Sequence, residues 1–369
     1  MDKGSSANSN NTNPALNKLR GQIDKLDREL VKFMNERAKL AHAIGKIKGS
    51  TGQTVYDPAR EEEVLNRVRE LSKGPLPEQA VRAVFRELIS GSRSLEKDLR
   101  VAFLGPFYSY SHLATIHRFG NCVEMLPVSS ISAVFEEVNR GHAQYGLVPL
   151  ENSTDGRVAD TLENFVRMPV RICGEVQLRI HHHLLGRCTR SEIQEIYSRP
   201  QALSQCRNWL MRHLPTARTI EVTSTSTAAQ LAQDKPGAAA IASMQAGLHY
   251  GLNVLAENIE DNAENFTRFA VIGEHPAQRS GHDKTAIMFE VEHQPGALAD
   301  AMQIFKRCKL NLTWIESFPI PQSQGRYLFF VELEGHLQDL RVRKATESLA
   351  KKAVRMVILG SYAKSSPVE

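Results

Sequence analysis

The sequence predicts a multidomain chain with three units in series: an all-α helical unit, an α/β unit of two lobes, and an α+β unit of the ferredoxin-like type. Three observations predict this order. Apolar residues follow a heptad repeat near the N-terminus, short apolar runs alternate with amphipathic helices in the middle, and the C-terminal part follows a β-α-β-β-α-β pattern. A length of 369 residues fits two or three domains.

Composition and charge exclude several classes of function. With 41% hydrophobic and 24% charged residues, the chain has the composition of an ordinary globular protein. The net charge of +5 is spread without a basic block, so nucleic-acid binding is not expected. No apolar run reaches the ~18 residues of a membrane span, and no signal peptide is expected. The five scattered cysteines indicate free thiols, and we expect a cytoplasmic protein without a cofactor.

One long helix organises the N-terminal unit. Residues 1–13 are rich in Ser and Asn and are expected to be a disordered tail. Apolar residues then recur in steps of four and three from Leu19 to Ile47, and the predicted helix Leu16–Lys48 is roughly 50 Å long. Such a helix needs a partner helix to cover its seam. Arg37 is the one cation in that seam, and it either fixes the register of a coiled coil or awaits an anionic ligand.

Two further helices complete this unit, which is predicted to span residues 14–98. A loop is expected at Gly49–Val55, and Asp57-Pro58 predicts a helix start with Asp as N-cap. A third helix is predicted to begin near Pro77, and Ser92 interrupts its apolar stripe. Ser92 is therefore a second polar residue expected inside the unit, beside Arg37.

Cations on the long helix are spaced in a way that points to a shared site. Arg37 and Lys48 are eleven residues apart, so they share a helix face with about 16 Å of rise between them. Arg20 lies seventeen residues before Arg37, roughly 25 Å away along the axis. A small dianion cannot bridge that distance, so Arg20 can serve the same site only from a second chain.

The motifs of the helical unit resemble the all-helical chorismate mutase family; they read Leu19-Arg20-x-x-Ile23-x-x-Leu26-Asp27, Glu36-Arg37, Gly45-Lys46-x-Lys48 and Asp57-x-x-Arg60-Glu61. The resemblance implies an intertwined homodimer in which each site borrows an arginine from the other protomer. It implies catalytic roles for Arg20, Arg37, Lys48 and Glu96, and substrate binding by Asp57, Arg60, Glu61 and Ser92. Chorismate rearranges to prephenate by a pericyclic shift, so cations that clamp its carboxylates and a donor to its ether oxygen suffice.

Glu96 departs from one common form of that family, in which a glutamine donates to the ether oxygen. A glutamate donates a hydrogen bond only when it is protonated. We therefore expect mutase activity to fall as pH rises. The alternative is that Glu96 is an ordinary exposed residue near a helix end.

The middle unit, predicted to span residues 99–276, begins in a β-α-β-α order that predicts parallel strands. Ligands bind such sheets where strands end and helices begin. The polar clusters at those points are Ser109–Ser111, Glu151–Gly156, Ser198, Thr223–Thr227 and Asn265–Phe269. His181, His182 and His183 do not predict a metal site, because alternate residues of a strand face opposite sides.

The same unit resembles prephenate dehydratase over its whole length; the matching motifs are Phe103-Leu104-Gly105-Pro106, Ser109-Tyr110-Ser111, Val148-Pro149-Leu150-Glu151-Asn152-Ser153, Ile180–Leu185 and Thr267-Arg268-Phe269. The resemblance implies that Thr267 is essential when prephenate loses its carboxylate and ring hydroxyl to give phenylpyruvate. It implies substrate binding by Ser109, Asn152, Ser198, Gln205, Arg268 and Phe269. One loop departs from the family, since Gly105-Pro106-Phe107-Tyr108 has a tyrosine where glycine would allow positive φ. The resemblance therefore does not fix the geometry of this loop or its affinity for the substrate, although the dehydratase activity is still expected.

The C-terminal unit, predicted to span residues 284–362, resembles the ACT regulatory domain of the same enzymes, which senses phenylalanine. The motifs are Pro295-Gly296-Ala297-Leu298 and Asn311-Leu312-Thr313-x-Ile315-Glu316-Ser317. The resemblance implies that L-phenylalanine binds through Gly296, Ala297, Leu298, Asn311, Leu312, Glu316 and Ser317. Trp314 and Phe318 depart from the family pattern, and Phe318 stands where an arginine is usual.

Two classes of function follow from these resemblances. The first is a bifunctional enzyme of phenylalanine biosynthesis, a homodimer that acts on chorismate and prephenate and is feedback-regulated by L-phenylalanine; whether dimers pair into tetramers stays open. The second is a non-catalytic sensor of aromatic metabolites, which the departures at Phe107, Tyr108 and Phe318 favour. An ultraviolet assay with each substrate separates the two.

Overall fold

Three units follow one another along the chain in the predicted order. The structure is a computed structural model, and it describes residues 14–51, 56–96, 98–320 and 326–368. The predicted N-terminal tail and the end of the predicted loop, residues 52–55, lie outside these ranges. Within them, no helix combines the length and apolarity that a bilayer span requires.

The helical unit consists of α1 (Pro14–Thr51), α2 (Pro58–Leu71) and α3 (Glu78–Ser94). With 38 residues, α1 is about 57 Å long at 1.5 Å per residue. It continues past Gly49, so the predicted loop begins later than expected. The start of α2 is confirmed, because the Asp57 side chain accepts a hydrogen bond from the Arg60 backbone N–H at 3.1 Å.

The apolar seam of α1 stays uncovered within the chain, although α1 packs against α3. Leu40 is 69% exposed, Ile47 66% and Phe33 61%. A continuous apolar surface of this kind is typical of an interface, because water-exposed hydrocarbon is costly. The long helix is thus arranged to receive another helix along most of its length.

The α/β unit has two lobes, each built on its own sheet. In chain order its elements are β1 (Arg100–Leu104), α4 (Tyr110–Phe119), β2 (Glu124–Val128), α5 (Ile131–Asn139), β3 (Tyr145–Asn152), β4 (Gly156–Arg157), α6 (Ala159–Arg167), β5 (Arg171–Arg179), β6 (His183–Gly186), a single 3-10 turn (Arg190–Glu192), β7 (Glu195–Ser198), α7 (Pro200–Gln205), α8 (Arg207–His213), β8 (Arg218–Glu221), α9 (Thr225–Asp234), β9 (Ala238–Ala242), α10 (Met244–His249), β10 (Asn253–Ala256) and β11 (Phe266–Gly273).

The first lobe places β5, β11, β3, β1 and β2 side by side, with β4 paired to β3, and the second places β10, β6, β9, β7 and β8 in that order. β1 pairs in parallel with β2 and β3, as predicted, whereas β11 runs antiparallel to β3 and β5. The chain leaves the first sheet after β5 and returns to it as β11. The end of β3 and the start of β11 therefore meet beside the second lobe.

The C-terminal unit folds in the β-α-β-β-α-β order that the sequence predicts. Its elements are β12 (Asp283–Glu290), α11 (Ala297–Arg307), β13 (Leu312–Pro319), β14 (Tyr327–Glu334), α12 (Leu340–Ala350) and β15 (Arg355–Ala363). The strands form an antiparallel sheet in the order β13-β14-β12-β15. A last strand, β16 (Pro367–Val368), pairs with β5 of the first lobe.

The C-terminal sheet packs closely against the first lobe. Met288 and Phe330 share one apolar core with Ile172 and Ala270. At Gly360 of β15 the two backbones approach so closely that a Cβ would lie 2.0 Å from the Ile172 carbonyl oxygen. Only glycine fits there, and the two sheets are therefore held as one layered body.

Tyr56, just before α2, is buried in the α/β unit rather than in its own. It is 3% exposed, and its ring lies 5.0 Å from the ring of Phe119 and 4.7 Å from that of Tyr145. The Nε of Arg118 donates to its hydroxyl at 2.5 Å. The helical unit thus inserts one aromatic side chain into the core of its neighbour.

Candidate active sites

One group of polar side chains lies between α1 and α3. Arg37 donates from Nη1 to the Ser92 hydroxyl at 3.1 Å, and Ser92 donates to the Leu88 carbonyl at 2.7 Å. Burial lowers the pKa of Arg37. A guanidinium has five N–H donors, and a neutral hydroxyl leaves its charge unbalanced. The two polar interruptions of the predicted seams therefore meet, and Arg37 retains capacity for an anion.

Lys48 and Glu96 extend this group toward the C-terminal end of α1. A Cβ at Gly45 would lie 2.5 Å from Glu96 Cγ, so a larger residue there would displace the glutamate. Burial raises the pKa of Glu96, and the charge of Lys48 opposes part of that rise. The net effect is a carboxyl group that keeps its proton to higher pH than an exposed one, close to a lysine cation.

Arg20 stands apart from this group although it lies on the same helix. α1 is continuous from Pro14 to Thr51, and the seventeen residues from Arg20 to Arg37 correspond to roughly 25 Å. The Arg20 side chain is exposed. Within one chain, Arg20 is out of reach of a small ligand held by Arg37.

Three predicted substrate contacts, Asp57, Arg60 and Glu61, lie around the start of α2, and each has a partner within the protein. Asp57 caps α2. Arg60 forms an exposed ion pair with Glu63, one turn along the helix, at 2.5 Å from Nη1 to Oε2. Glu61 pairs with buried Arg93 at 2.6 Å, and Arg93 also donates to the Phe119 carbonyl at 2.6 Å. The predicted substrate contact of Glu61 is corrected, because its carboxylate is committed to Arg93 at the border with the α/β unit.

A cleft of about 710 Å³ lies between the two lobes of the α/β unit. The predicted residues that line it are Ser109, Asn152, Gln205, Thr267 and Phe269. Further hydroxyl groups in its walls come from Ser111, Ser129, Ser130, Thr223, Ser224 and Thr225. The cleft therefore offers many uncharged hydrogen-bond donors at the ends of strands and the starts of helices.

Thr267 and Asn152 form a hydrogen-bonded pair where β11 and β3 meet. Asn152 Nδ2 donates to Thr267 Oγ1 at 2.9 Å. Asn152 Oδ1 accepts from the backbone N–H groups of Thr154 and Asp155 at 3.0 and 3.1 Å, which fixes the orientation of the amide. The threonine oxygen accepts this hydrogen bond, and no described residue accepts the threonine proton, so that proton can be donated to a ligand.

Gln205 links this pair to the second lobe. It donates to Asp155 Oδ2 at 3.0 Å and accepts from Asn265 Nδ2 at 3.0 Å. Its Oε1 also lies 2.9 Å from Nε2 of His182, a cleft residue that was not predicted. Burial lowers the pKa of His182, which favours the neutral ring. The amide of Gln205 is thereby held from both lobes.

The neighbouring histidines have other partners. His181 Nδ1 lies 2.7 Å from Glu260, and His183 Nδ1 accepts from the Asn258 backbone N–H at 3.4 Å. Among the residues that the structure describes, no three His, Cys, Asp or Glu side chains converge in a way that could hold a metal ion.

The loop with the tyrosine adopts the backbone conformation that glycine would take. Tyr108 has φ of 65°, at a cost of about 1–2 kcal/mol for a residue with a side chain. Its ring stacks on His249 at 3.8 Å, and Ser226 of the second lobe donates to the Phe107 carbonyl at 2.7 Å. The positive φ that a tyrosine resists is therefore present in this loop, and contacts with the second lobe accompany it.

Two predicted substrate contacts lie outside the cleft. Thr267 and Phe269 line it, whereas Arg268, which lies between them, is 7% exposed and its guanidinium contacts Glu175 and Glu332 on the side that faces the C-terminal sheet. Ser198 is fully buried and donates to the Ile241 carbonyl at 2.7 Å. Both predictions are corrected, since a motif does not show which face of the strand each of its residues occupies.

Arg199 is a cleft residue that the sequence did not single out. It follows β7, lines the cleft and is exposed. Among the described residues that line the cleft, it is the only lysine or arginine. Exposed arginines are common, so only the fold could identify it as the cation of this site.

The predicted regulatory residues lie in two places. Those at the start of α11 are Gly296, Ala297 and Leu298, and those before or along β13 are Asn311, Leu312, Glu316 and Ser317. Gly296 has φ of 86°, which suits glycine. Glu316 forms an ion pair with Arg157 of the α/β unit at 2.8 Å. Phe318, at 7% exposure, packs into the core that the two units share.

Two family models match the chain in succession. The model described as chorismate mutase type II matches residues 19–97, and the model described as prephenate dehydratase matches residues 101–277. The matches cover the helical unit and the α/β unit.

Relatives match nearly the whole chain. A protein of Aquifex aeolicus named bifunctional chorismate mutase/prephenate dehydratase is 42% identical over 355 residues, which is 95% of this chain and 98% of its own. A Pseudomonas aeruginosa protein of the same name is 39% identical over 357 residues, again 95% and 98%. The structure of Arthrobacter aurescens prephenate dehydratase in complex with L-Phe is 33% identical with a TM-score of 0.68, covering 72% of this chain and 90% of its own. The chain belongs to the bifunctional chorismate mutase/prephenate dehydratase family.

Proposed function

We propose that the two activities of the family reside in two separate sites of this chain. The chain is a bifunctional enzyme of phenylalanine biosynthesis, with chorismate mutase and prephenate dehydratase activities. The observation that carries the assignment of sites is that Arg37 contacts Ser92 in the helical unit, where Lys48 acts on the charge of Glu96, while Asn152 and Thr267 pair in the cleft. The domain boundaries that we propose are residues 14–98, 99–276 and 284–362.

In the mutase site, cations bind the substrate and stabilise charge. Chorismate carries two carboxylates, and its rearrangement to prephenate needs no nucleophile or base. Arg37 binds one carboxylate, for which its free N–H donors are suited. Lys48 and protonated Glu96 donate to the ether oxygen, where negative charge develops as the C–O bond breaks. Ser92 positions Arg37, and to contact the substrate Asp57 and Arg60 must give up the cap of α2 and the exposed ion pair with Glu63.

The mutase site is completed by a second protomer. α1 exposes an apolar seam along most of its length, and Arg20 is roughly 25 Å from Arg37 on that helix. An antiparallel pairing of two copies of α1 would cover both seams and bring Arg20 of one protomer to Arg37 of the other. The proposed assembly is a homodimer with two shared sites.

In the cleft, hydrogen bonds assist a reaction that aromatisation drives. Prephenate loses CO2 as its C–C bond breaks, the electron pair enters the ring, and the ring hydroxyl departs and is protonated to water. Thr267 donates its free proton as a hydrogen bond to the departing hydroxyl, and Asn152 holds the threonine oxygen in place. Ser109, Gln205 and Phe269 contact the substrate, and Arg199 binds one carboxylate.

The C-terminal unit is proposed to be an ACT domain that binds L-phenylalanine. Its β-α-β-β-α-β order supports this assignment, as does the L-Phe complex of the Arthrobacter aurescens relative. The binding residues are Gly296, Ala297, Leu298, Asn311, Leu312, Glu316 and Ser317. Calorimetry with L-phenylalanine should detect binding that Ser317→Ala weakens and that Ser348→Ala, an exposed residue of α12, leaves unchanged. No heat at millimolar phenylalanine would contradict the proposal.

Two single substitutions test the assignment of sites. A continuous ultraviolet assay with chorismate should lose its signal in Arg37→Ala and keep it in Thr267→Val, and an assay with prephenate should show the reverse. In each variant, the activity that is kept shows that the chain is folded. If either substitution removed both activities, or neither, the sites would be wrongly assigned. The sensor alternative predicts no turnover of either substrate, against the names of the full-length relatives.

A further inference from the structure

A buried cluster of charges joins the active-site strand β11 to the C-terminal sheet. Arg268 donates from Nη1 to Glu151 at 2.7 Å, and from Nη2 to Glu175 at 3.2 Å and to Glu332 at 2.6 Å. Glu151 and Glu175 belong to the first lobe, whereas Glu332 lies on β14 of the C-terminal unit. Glu175 is 4% exposed and Glu332 is fully buried. One guanidinium therefore bridges two units through three carboxylates.

Two more strands of the C-terminal sheet contribute to the same cluster. Lys284 of β12 donates to Glu175 at 2.9 Å, and Tyr362 of β15 donates to Glu332 at 2.6 Å. Burial would raise the pKa of Glu175, but Lys284 and Arg268 hold it below its ordinary value, so this group is a carboxylate at neutral pH. Removing one member of such a cluster leaves an uncompensated buried charge. The cluster thus fixes the position of the first lobe relative to the C-terminal sheet.

The cluster lies one residue from the cleft on both of the strands that form it. Arg268 precedes Phe269 and follows Thr267, and Glu151 precedes Asn152, the residue that donates to Thr267. Arg268 is paired in register with Glu151, and the register shifts directly afterwards, between Arg268 and Phe269. At a bulge the regular pleat no longer fixes the direction of side chains. The ion pair between Arg268 and Glu151 therefore holds the side-chain directions of β11 and β3 at this bulge.

We propose that Glu332 is a positioning residue for the dehydratase reaction, acting through Arg268 to hold Thr267 against Asn152. The C-terminal unit then sets the geometry of the cleft, and a ligand that shifts β14 acts on Thr267 by this path. Glu332 touches no part of the cleft, so it affects how the substrate reacts more than how tightly it binds. The inference rests on the proposed role of Thr267.

The first experiment uses Glu332→Gln in the full-length chain. A 1 Å displacement of a catalytic group can cost about 100-fold in rate, so we expect dehydratase kcat to fall about tenfold or more while KM for prephenate changes less than about threefold. Mutase activity should be unchanged, which shows that the chain is folded. Glu332→Asp keeps the carboxylate and should recover part of kcat. Glu334→Gln is the matched control, because Glu334 lies on the same strand in an exposed pair with Lys364 at 3.5 Å.

A double-mutant cycle then tests whether Glu332 acts through Arg268. If it does, Arg268→Gln combined with Glu332→Gln loses no more kcat than the worse single variant; independent losses would multiply and overturn the inference. A kcat within about twofold of wild type, or an equal fall of both activities, would also overturn it. Should Thr267→Val retain full dehydratase activity, the proposed function fails. Should Thr267→Val be inactive while Glu332→Gln is not, only the present inference fails.

Discussion

Single residues in both sites are oriented by neighbours that take up one of their hydrogen-bonding atoms and leave another free. Asn152 donates to the oxygen of Thr267, and the threonine proton, which no described residue accepts, can be donated to a ligand. Ser92 takes one N–H of Arg37 and leaves the others. Such arrangements fix the direction of a donor before the substrate binds. Hydrogen bonds that are oriented in advance stabilise a transition state without further reorganisation.

At the proposed mutase site, we expect Glu96 to make the reaction depend on pH. Burial raises its pKa, and a carboxyl group is protonated below its pKa and loses its proton as pH rises through it. Only the protonated form donates to the ether oxygen. We expect mutase kcat/KM to fall as pH rises between about 5 and 8, and Glu96→Gln to flatten that profile because an amide donates at every pH. A flat profile in the unmodified chain would contradict this role.

Arg199 should control the affinity of the cleft for prephenate. A charged hydrogen bond to a carboxylate is worth about 1.5–3 kcal/mol, so Arg199→Gln should raise KM for prephenate by about tenfold to 100-fold with a smaller change in kcat. Arg199→Lys should recover part of the affinity, because the charge remains. Arg187→Gln, an exposed arginine outside the cleft, is the control. An unchanged KM would show that another group holds the carboxylate.

At the scale of elements, α1 carries both the apolar seam that we propose pairs two chains and the cations of the proposed mutase site, Arg20, Arg37 and Lys48. Its apolar seam and its cations lie on one continuous helix of 38 residues. In the proposed dimer, the spacing of Arg20 and Arg37 along that helix determines how the two chains are arranged. A change in the register of the dimer would separate the arginines as well as the apolar residues.

Mixed dimers test this arrangement. Arg20→Ala and Arg37→Ala homodimers should both lack mutase activity. When the two chains are unfolded, mixed in equal amounts and refolded, half of the dimers are mixed, and each has one site with both arginines. We expect about a quarter of the activity of the unmodified enzyme. Dehydratase activity, measured in parallel, reports the yield of folded chain, and a mixture that regains no mutase activity would rule out shared sites.

Predictions from the sequence were most accurate for features that depend on residues close together in the chain. The heptad steps of α1 and the Asp57 cap are properties of neighbouring residues, and both were confirmed. Arg268 and Ser198 were assigned to the cleft because they belong to the right motif or cluster, but the face that a strand residue occupies depends on register. Arg199 was missed because its neighbours in the cleft are distant in sequence.

At the scale of the whole molecule, the three units are joined through their interiors. Tyr56 of the helical unit lies in the core of the first lobe, and the C-terminal sheet shares a core with the opposite face of that lobe. Buried contacts of this kind transmit displacement, because packed interiors have little free volume. The first lobe is thus packed between the other two units, and its cleft depends on both.

Tyr56 should stabilise the dehydratase although it belongs to the helical unit. Tyr56→Ala removes a buried aromatic ring, which costs about 3–5 kcal/mol, and it leaves Arg118 without its hydroxyl partner. We expect a lower denaturant midpoint for the loss of dehydratase activity. Tyr56→Phe keeps the ring and should cost only about 1–3 kcal/mol. Equal midpoints for Tyr56→Ala and the unmodified chain would show that the core refills the space.

The insertion of Tyr56 also bears on how the enzyme could be divided. A fragment that began at Arg100 would contain every cleft residue named above, yet Phe119 and Tyr145 would face an empty space where the Tyr56 ring had been. An independent dehydratase made from this chain would need a new large side chain to fill that space. The boundary between the two units along the chain therefore differs from the boundary between their packed cores, and a division of the enzyme has to respect the second.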